Sequence, residues 1–309
     1  MQFYHVIYYM NTVIIPKVST KNIHPILHKK GGIVGRILFL YNVSYRQMFN
    51  RRHYFMIEKR WLGNIEVNVI NQQEALQLIL EKLRKKEKTD VFFLNDHCYN
   101  LAQKDKEYKK IINNSDLLLN DGIGVEIGAK IYGFQFKENL NGTDFIPALF
   151  EHLNKIKEQK FRIFLLGAKQ GIAKAALDRL GAEYQHLEFV GEHHGYYDHT
   201  KSEDVIHTIN DRKTDLLLVG FGMPLQEKWI AEHRSQLNCT VTLAVGAFID
   251  FSSGTVNRAP SIFRKLRLEW LYRMAKEPKR LWKRNFVGHF LFFYYMFKQR
   301  LSKKRQEAR

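Results

Sequence analysis

Between residues 65 and 245 short apolar runs alternate with helix-forming stretches, and this alternation constrains the fold more than any other feature of the chain. The runs are Val91–Leu94, Asp116–Leu119, Phe161–Leu166, Leu187–Val190, Asp215–Val219 and Val241–Val245. Around and between them lie helical patterns over 72–86, 97–112, 124–132, 143–158, 171–182, 202–212 and 224–237. Apolar runs this short, bounded by turn residues, read as strands buried on both faces. Strands that alternate with helices build a mostly parallel sheet covered on both sides. The expectation is a Rossmann-like α/β domain over 58–255, flanked by two segments of different character.

Charge separates those segments from the body. Of the net +18, residues 1–57 hold +8, with no Asp or Glu at all. Residues 256–309 hold +13, with sixteen Lys or Arg against Glu269, Glu277 and Glu307, which leaves the middle at −3. A nucleic-acid enzyme would carry its basic residues through the domain that holds the ligand. Cationic ends on a near-neutral body fit anionic lipid headgroups better. No segment reaches the ~20 apolar residues that span a bilayer. Residues 1–57 read either as a membrane-associating arm or as an over-extended reading frame ahead of Met56. Residues 256–309 read as a helical, cationic, aromatic appendage, with the run Asn285–Phe297 too apolar for a free surface. Cys98 and Cys239 lack the spacing of a metal or redox pair.

Asp121 follows the run Asp116–Leu119 and precedes Gly122-Ile123-Gly124, so it falls where open α/β sheets bind their ligands. A carboxylate there could act as a general base, or could cap the helix that follows. Gly167, Gly220 and Gly222 also stand at strand ends before helices, where the backbone can approach a diphosphate beside a helix N-terminus. The alternative is a set of plain βα turns. Arg258, Arg264 and Arg267 head a basic C-terminal set interleaved with Trp270, Tyr272 and Trp282. Arg grips phosphate oxygens in two-point fashion, and aromatics at this density argue against a merely solvated face. His193 and His194 are adjacent, so their side chains diverge and a metal is not expected. No Asp-x-Asp occurs to cradle a divalent ion on a nucleotide-sugar. The expectation is therefore no metal and no other cofactor.

Several segments closely resemble the WecG/TagA/CpsF family of bacterial glycosyltransferases, which extend lipid-linked saccharides. They are Phe93-Leu94-Asn95, the stretches Leu119–Gly124 and Glu138–Phe145, and Phe164-Leu165-Leu166-Gly167-Ala168. Gly220–Trp229 and Ala247–Phe251 complete the set, which runs in the family's order from about Leu62 to Arg284. The resemblance implies Asp121 as the base of an inverting sugar transfer. It also implies Asn95, Thr143, Asp144 and Gln226 as polar groups of the substrate pocket beside Gly122. Where many relatives carry Arg in an Arg-Val-x-Gly loop this chain has Asn139, which removes a potential phosphate clamp. The implied donor is a UDP-sugar, an N-acetylhexosamine such as N-acetylmannosamine. The implied acceptor is a polyprenyl-diphosphate-linked saccharide of a teichoic acid, capsule or exopolysaccharide pathway. The enzyme would work in the cytoplasm, peripherally on the inner face of the plasma membrane, and a homo-oligomer is left open.

Two other readings compete. Gly122-Ile123-Gly124 after a strand, with Asp144 twenty residues on, echoes a dinucleotide fingerprint of an NAD-dependent oxidoreductase. The third glycine of that fingerprint would be needed at Ile127. A non-enzymatic, charge-driven binder of membranes or nucleic acid is the other, and the near-neutral middle weighs against nucleic acid.

Overall fold

The computed structural model describes residues 57–256, 258–260, 263, 269–276, 278–282 and 286–307. The expectations for residues 1–56, and for Arg264 and Arg267, lie outside these. The described chain opens with an antiparallel hairpin, β1 (Lys59–Leu62) and β2 (Ile65–Asn68). Asn71 and Glu74 then form a reciprocal capping box that starts α1 (Gln72–Lys85).

From there strands and helices alternate as the apolar runs indicate. β3 (Thr89–Leu94) is followed by α2 (Asp96–Lys104) and α3 (Lys106–Asn113), where the sequence pattern reads as one helix over 97–112. Asp105 makes the break: its extended backbone ends α2, and its carboxylate accepts the Tyr108 N–H to cap α3. Next come β4 (Leu117–Asn120), α4 (Ile123–Ile131), α5 (Gly142–Asn154), β5 (Arg162–Gly167) and α6 (Ile172–Glu183). β6 (Glu188–His193), α7 (Glu203–Asp211), β7 (Leu216–Gly220), α8 (Leu225–His233), β8 (Val241–Ala244) and α9 (Phe248–Ser253) complete the alternation. The basic segment contributes α10 (Glu269–Lys276), α11 (Pro278–Trp282) and α12 (Gly288–Glu307).

Six strands form one parallel sheet in the order β4-β3-β8-β7-β5-β6, confirming the Rossmann-like α/β class. Successive residues of each strand face opposite sides, so each strand feeds two cores. Val91 and Phe93 join Leu119, Leu165, Leu218 and Leu243 with residues of α1, α5 and α6. Phe92 and Leu94 join Leu118, Phe164, Leu217 and Val219 with residues of α2, α3, α4, α7 and α8. α12 also enters this second core, where Phe292 and Met296 are fully buried. Tyr99 donates to the Gln299 side chain at 2.9 Å, Asn100 to the Gly288 carbonyl at 2.8 Å, and Tyr132 to the Met296 carbonyl at 3.0 Å. The chain leaves β3 for one sheet edge and β5 for the other, so a crevice opens over the carboxyl ends between them.

Candidate active site

The crevice is a cleft of about 950 Å³ over the strand ends, lined by the segments that follow all six strands of the main sheet. That volume lies at the upper end for small-molecule sites. Asp121, Gly122, Asn95, Thr143, Asp144, Gly220, Gly222 and Gln226 all line it. Gly167 does not; β5 and β7 approach so closely there that a Cβ would lie 2.6 Å from the Gly220 carbonyl oxygen.

Asp121 stands one residue beyond β4, held by its N–H on the Leu94 carbonyl at 2.8 Å. Its side chain does not cap α4. Gly122 occupies the cap position with a φ of 94°, which excludes a β-carbon without strain, and no side chain caps the helix. Asn139 accepts the Gly122 N–H at 2.9 Å and so pins the turn beside Asp121. Burial pushes the Asp121 carboxyl up to about 6, and the charges of Asp96, Glu269 and Asp144 push the same way. A hydrogen bond from the Asn95 side chain opposes the rise. Asn95 has two duties, because its carbonyl oxygen also accepts the Cys98 N–H at 2.9 Å and caps α2.

Gln226 is fully buried and its amide is committed to the protein. Its oxygen accepts the N–H groups of Gly222 (3.1 Å) and Gly246 (3.0 Å), joining the loops after β7 and β8. Its nitrogen donates to Glu227 at 2.7 Å. Burial pushes that carboxyl up to about 7. Gln226 therefore shapes the cleft floor, and the Gly222 N–H is engaged with it.

Asn141 caps α5, accepting the Asp144 N–H at 3.0 Å. Pro147 lies inside that helix and cannot donate to the Thr143 carbonyl one turn earlier. Arg258 takes up this freed oxygen at 3.4 Å, while its guanidinium also engages Asp144 at 2.7 Å and Glu269 at 3.1 Å. Arg258 thus fastens the basic segment to the cleft wall.

Other cleft residues carry no local sequence signal. Asp96 follows Asn95 and pairs with Nδ1 of His289, the second residue of α12. Trp270 packs on the His289 ring at 4.8 Å. Tyr196, Tyr197, His199 and Phe221 form an aromatic wall, with the His199 and Phe221 rings 4.5 Å apart. His193 and His194 do not diverge as adjacency suggests: their rings lie 4.6 Å apart, Nδ1 of each contacts nearby backbone, and neither lines the cleft. Among the described residues no group of three or more His, Cys, Asp or Glu is placed to hold a metal ion. Gly128, the glycine nearest the third place of a dinucleotide fingerprint, faces Phe292 and Met296 of α12, not the cleft.

A cleft over the carboxyl ends of a parallel sheet, with a half-buried carboxyl in its lining, places the chain among α/β proteins that bind their ligands at this end. Residues 60–306 match the model of the glycosyl transferase WecG/TagA/CpsF family, and the chain belongs to that family. It is similar to an N-acetylglucosaminyldiphosphoundecaprenol N-acetyl-beta-D-mannosaminyltransferase of Staphylococcus aureus strain MW2, 31% identical over 209 residues, covering 68% of this chain and 80% of the relative. An enzyme of the same description from Bacillus subtilis strain 168 is 35% identical over 184 residues, covering 59% and 69%.

Proposed function

We propose that this glycosyltransferase moves N-acetylmannosamine from UDP to polyprenyl-diphosphate-linked N-acetylglucosamine, with inversion at the anomeric carbon. The observation that carries the reading is Asp121, a half-buried carboxyl raised to about 6 at the floor of the cleft, in a chain similar to enzymes named for this transfer. At neutral pH the carboxylate is ionised yet more basic than a solvated Asp, as a general base requires. The acceptor hydroxyl gives its proton to Asp121 as its oxygen bonds to the anomeric carbon. The bond from that carbon to the diphosphate breaks on the opposite face, and UDP departs with the electron pair.

No Asp-x-Asp is available to hold a divalent ion, and the basic segment is rich in Arg. Both support leaving-group stabilisation by cationic side chains and backbone dipoles, with no metal. Among the described residues no helix is long and apolar enough to cross a membrane. Attachment to the inner leaflet is supported by the +13 of residues 256–309 and by Phe290, Tyr294 and Phe297, which lie exposed along α12.

The test is incubation with a panel of UDP-sugars and a short-chain lipid-diphosphate N-acetylglucosamine, with product configuration read by NMR. Turnover restricted to UDP-N-acetylmannosamine, giving the inverted linkage, is expected. Activity should persist in excess EDTA. Loss in EDTA with recovery on Mg²⁺ or Mn²⁺ would overturn the metal-independent route.

A further inference from the structure

The acidic groups facing Asp121 come from three separate elements: Asp96 from α2, Asp144 from α5 and Glu269 from α10. Each has a basic partner supplied by the C-terminal segment. Arg258 spans Asp144 and Glu269. His289 meets Asp96 through Nδ1. Asp96 is also the residue next to Asn95, whose side chain hydrogen-bonds the Asp121 carboxyl, and it lies in contact range of the Gly124 position on α4. The His289 contact therefore acts on the turn that presents both groups to the base.

We propose that His289 is a positioning residue for the catalytic base: by engaging Asp96 it fixes the β3–α2 turn and offsets the negative charge that Asp96 brings toward Asp121. The inference rests on Asp121 being the base, and extends that reading to a residue 168 positions further along the chain.

The geometry isolates this contact. Nε2 of His289 is buried and meets no acceptor among the described residues, so the ring is held by Asp96 on one side and by Trp270 packing. Phe292, one turn further along α12, is fully buried against Tyr99 of α2 at 5.2 Å, so α2 and α12 are fixed to each other beside the pair. Pairing with Asp96 raises the affinity of His289 for its proton. Other titratable groups of this region are the Cys98 thiol, which burial keeps protonated, His97 on the same turn as Asp96, Glu227 of α8 beside Cys98, and Asp250 of α9 in the cleft lining.

The experiment compares pH profiles of kcat/KM for the full chain and three variants: His289→Gln, Asp96→Asn and the double substitution. Glutamine retains a hydrogen-bond donor but no charge. His289→Gln leaves Asp96 uncompensated beside the base, so the acid limb should move up by about half a pH unit or more. Asp96→Asn should move it down, and adding His289→Gln to Asp96→Asn should move it no further. A purely structural contact would lower activity or melting temperature without this ordered shift. An acid limb unmoved in His289→Gln, or equal effects of that change with and without Asp96, overturns the proposal. Should His289→Gln fail to fold, the Asp96→Asn shift decides alone, and its absence counts against the proposal. An inactive wild type would instead refute the sugar-transfer reading. In that case carbon-13 titration of the Asp121 carboxyl, assigned with Asp121→Asn, reads the same shifts without turnover.

Discussion

Asp121 is placed where its ionised form is costly and useful at once. Asp121→Asn keeps the size of the side chain and removes the base, so turnover should fall by about two orders of magnitude or more. Donor binding, measured by calorimetry with UDP, should change little. The wild-type rate should fall as pH drops below about 6, because protonation removes the base. Stability should follow the same group with the opposite sense. An acid whose folded value lies above its ordinary 3.8 contributes stability that is fully present below that value and lost as pH rises through about 6. The Asn variant should therefore gain on wild type in melting temperature between pH 5 and 7. A flat difference across that range would show that the fold does not perturb the carboxyl. Asp121 was legible in the sequence because both strand-end position and family motif mark it. Asp96 and His289 were not, since their pairing joins residues 193 apart and leaves no local pattern.

At the scale of elements, the loops after β7 and β8 depend on one side chain. Gln226→Ala removes the acceptor of two backbone N–H groups and the donor to a buried carboxyl. Unmet groups of this kind cost about 1–3 kcal/mol each. A loss of roughly 2 kcal/mol or more in denaturant unfolding is expected, with weaker donor binding. Unchanged stability would mean that water replaces the amide fully. The family resemblance points to Gln226 as a pocket residue, but not to its full burial. It is buried because two distant loops close over it, which periodicity within one helix cannot report. Five of the six strands of the main sheet were legible to within about two residues, as continuous apolar runs leave little choice but burial on both faces; the edge strand β6 runs three residues beyond Val190 and is only half-buried throughout. The break at Asp105 was missed because one capping carboxylate interrupts an otherwise unbroken helical pattern. The β1–β2 hairpin was missed too; it is too short for its alternation to stand out.

For the whole molecule, the C-terminal aromatic run divides between two faces of α12. Phe292 and Met296 complete the core, while Phe290, Tyr294, Phe297 and Leu301 form an exposed stripe at helical spacing. The composition of the run was legible, but its division was not, because apolar residues on both faces leave no amphipathic signal. Phe292→Ala should cost about 3–5 kcal/mol, as expected for a buried aromatic. Replacing Phe290, Tyr294 and Phe297 together with Ser should leave melting unchanged and release the protein from anionic vesicles in sedimentation. Retention of the triple variant at high salt would refute a docking role for the stripe.

The strand that leads to Asp121 has one further property. β4 lies at the border of the sheet, where unpaired backbone groups are a template for another chain. Here the Leu118 N–H is taken by the Asn68 side chain at 2.7 Å, and the Asn120 carbonyl by the Leu140 N–H at 3.0 Å. A bare border would invite neighbouring copies to add strand to strand. With these two groups occupied from within the chain, self-association through that border would first have to break bonds at the strand that leads to Asp121.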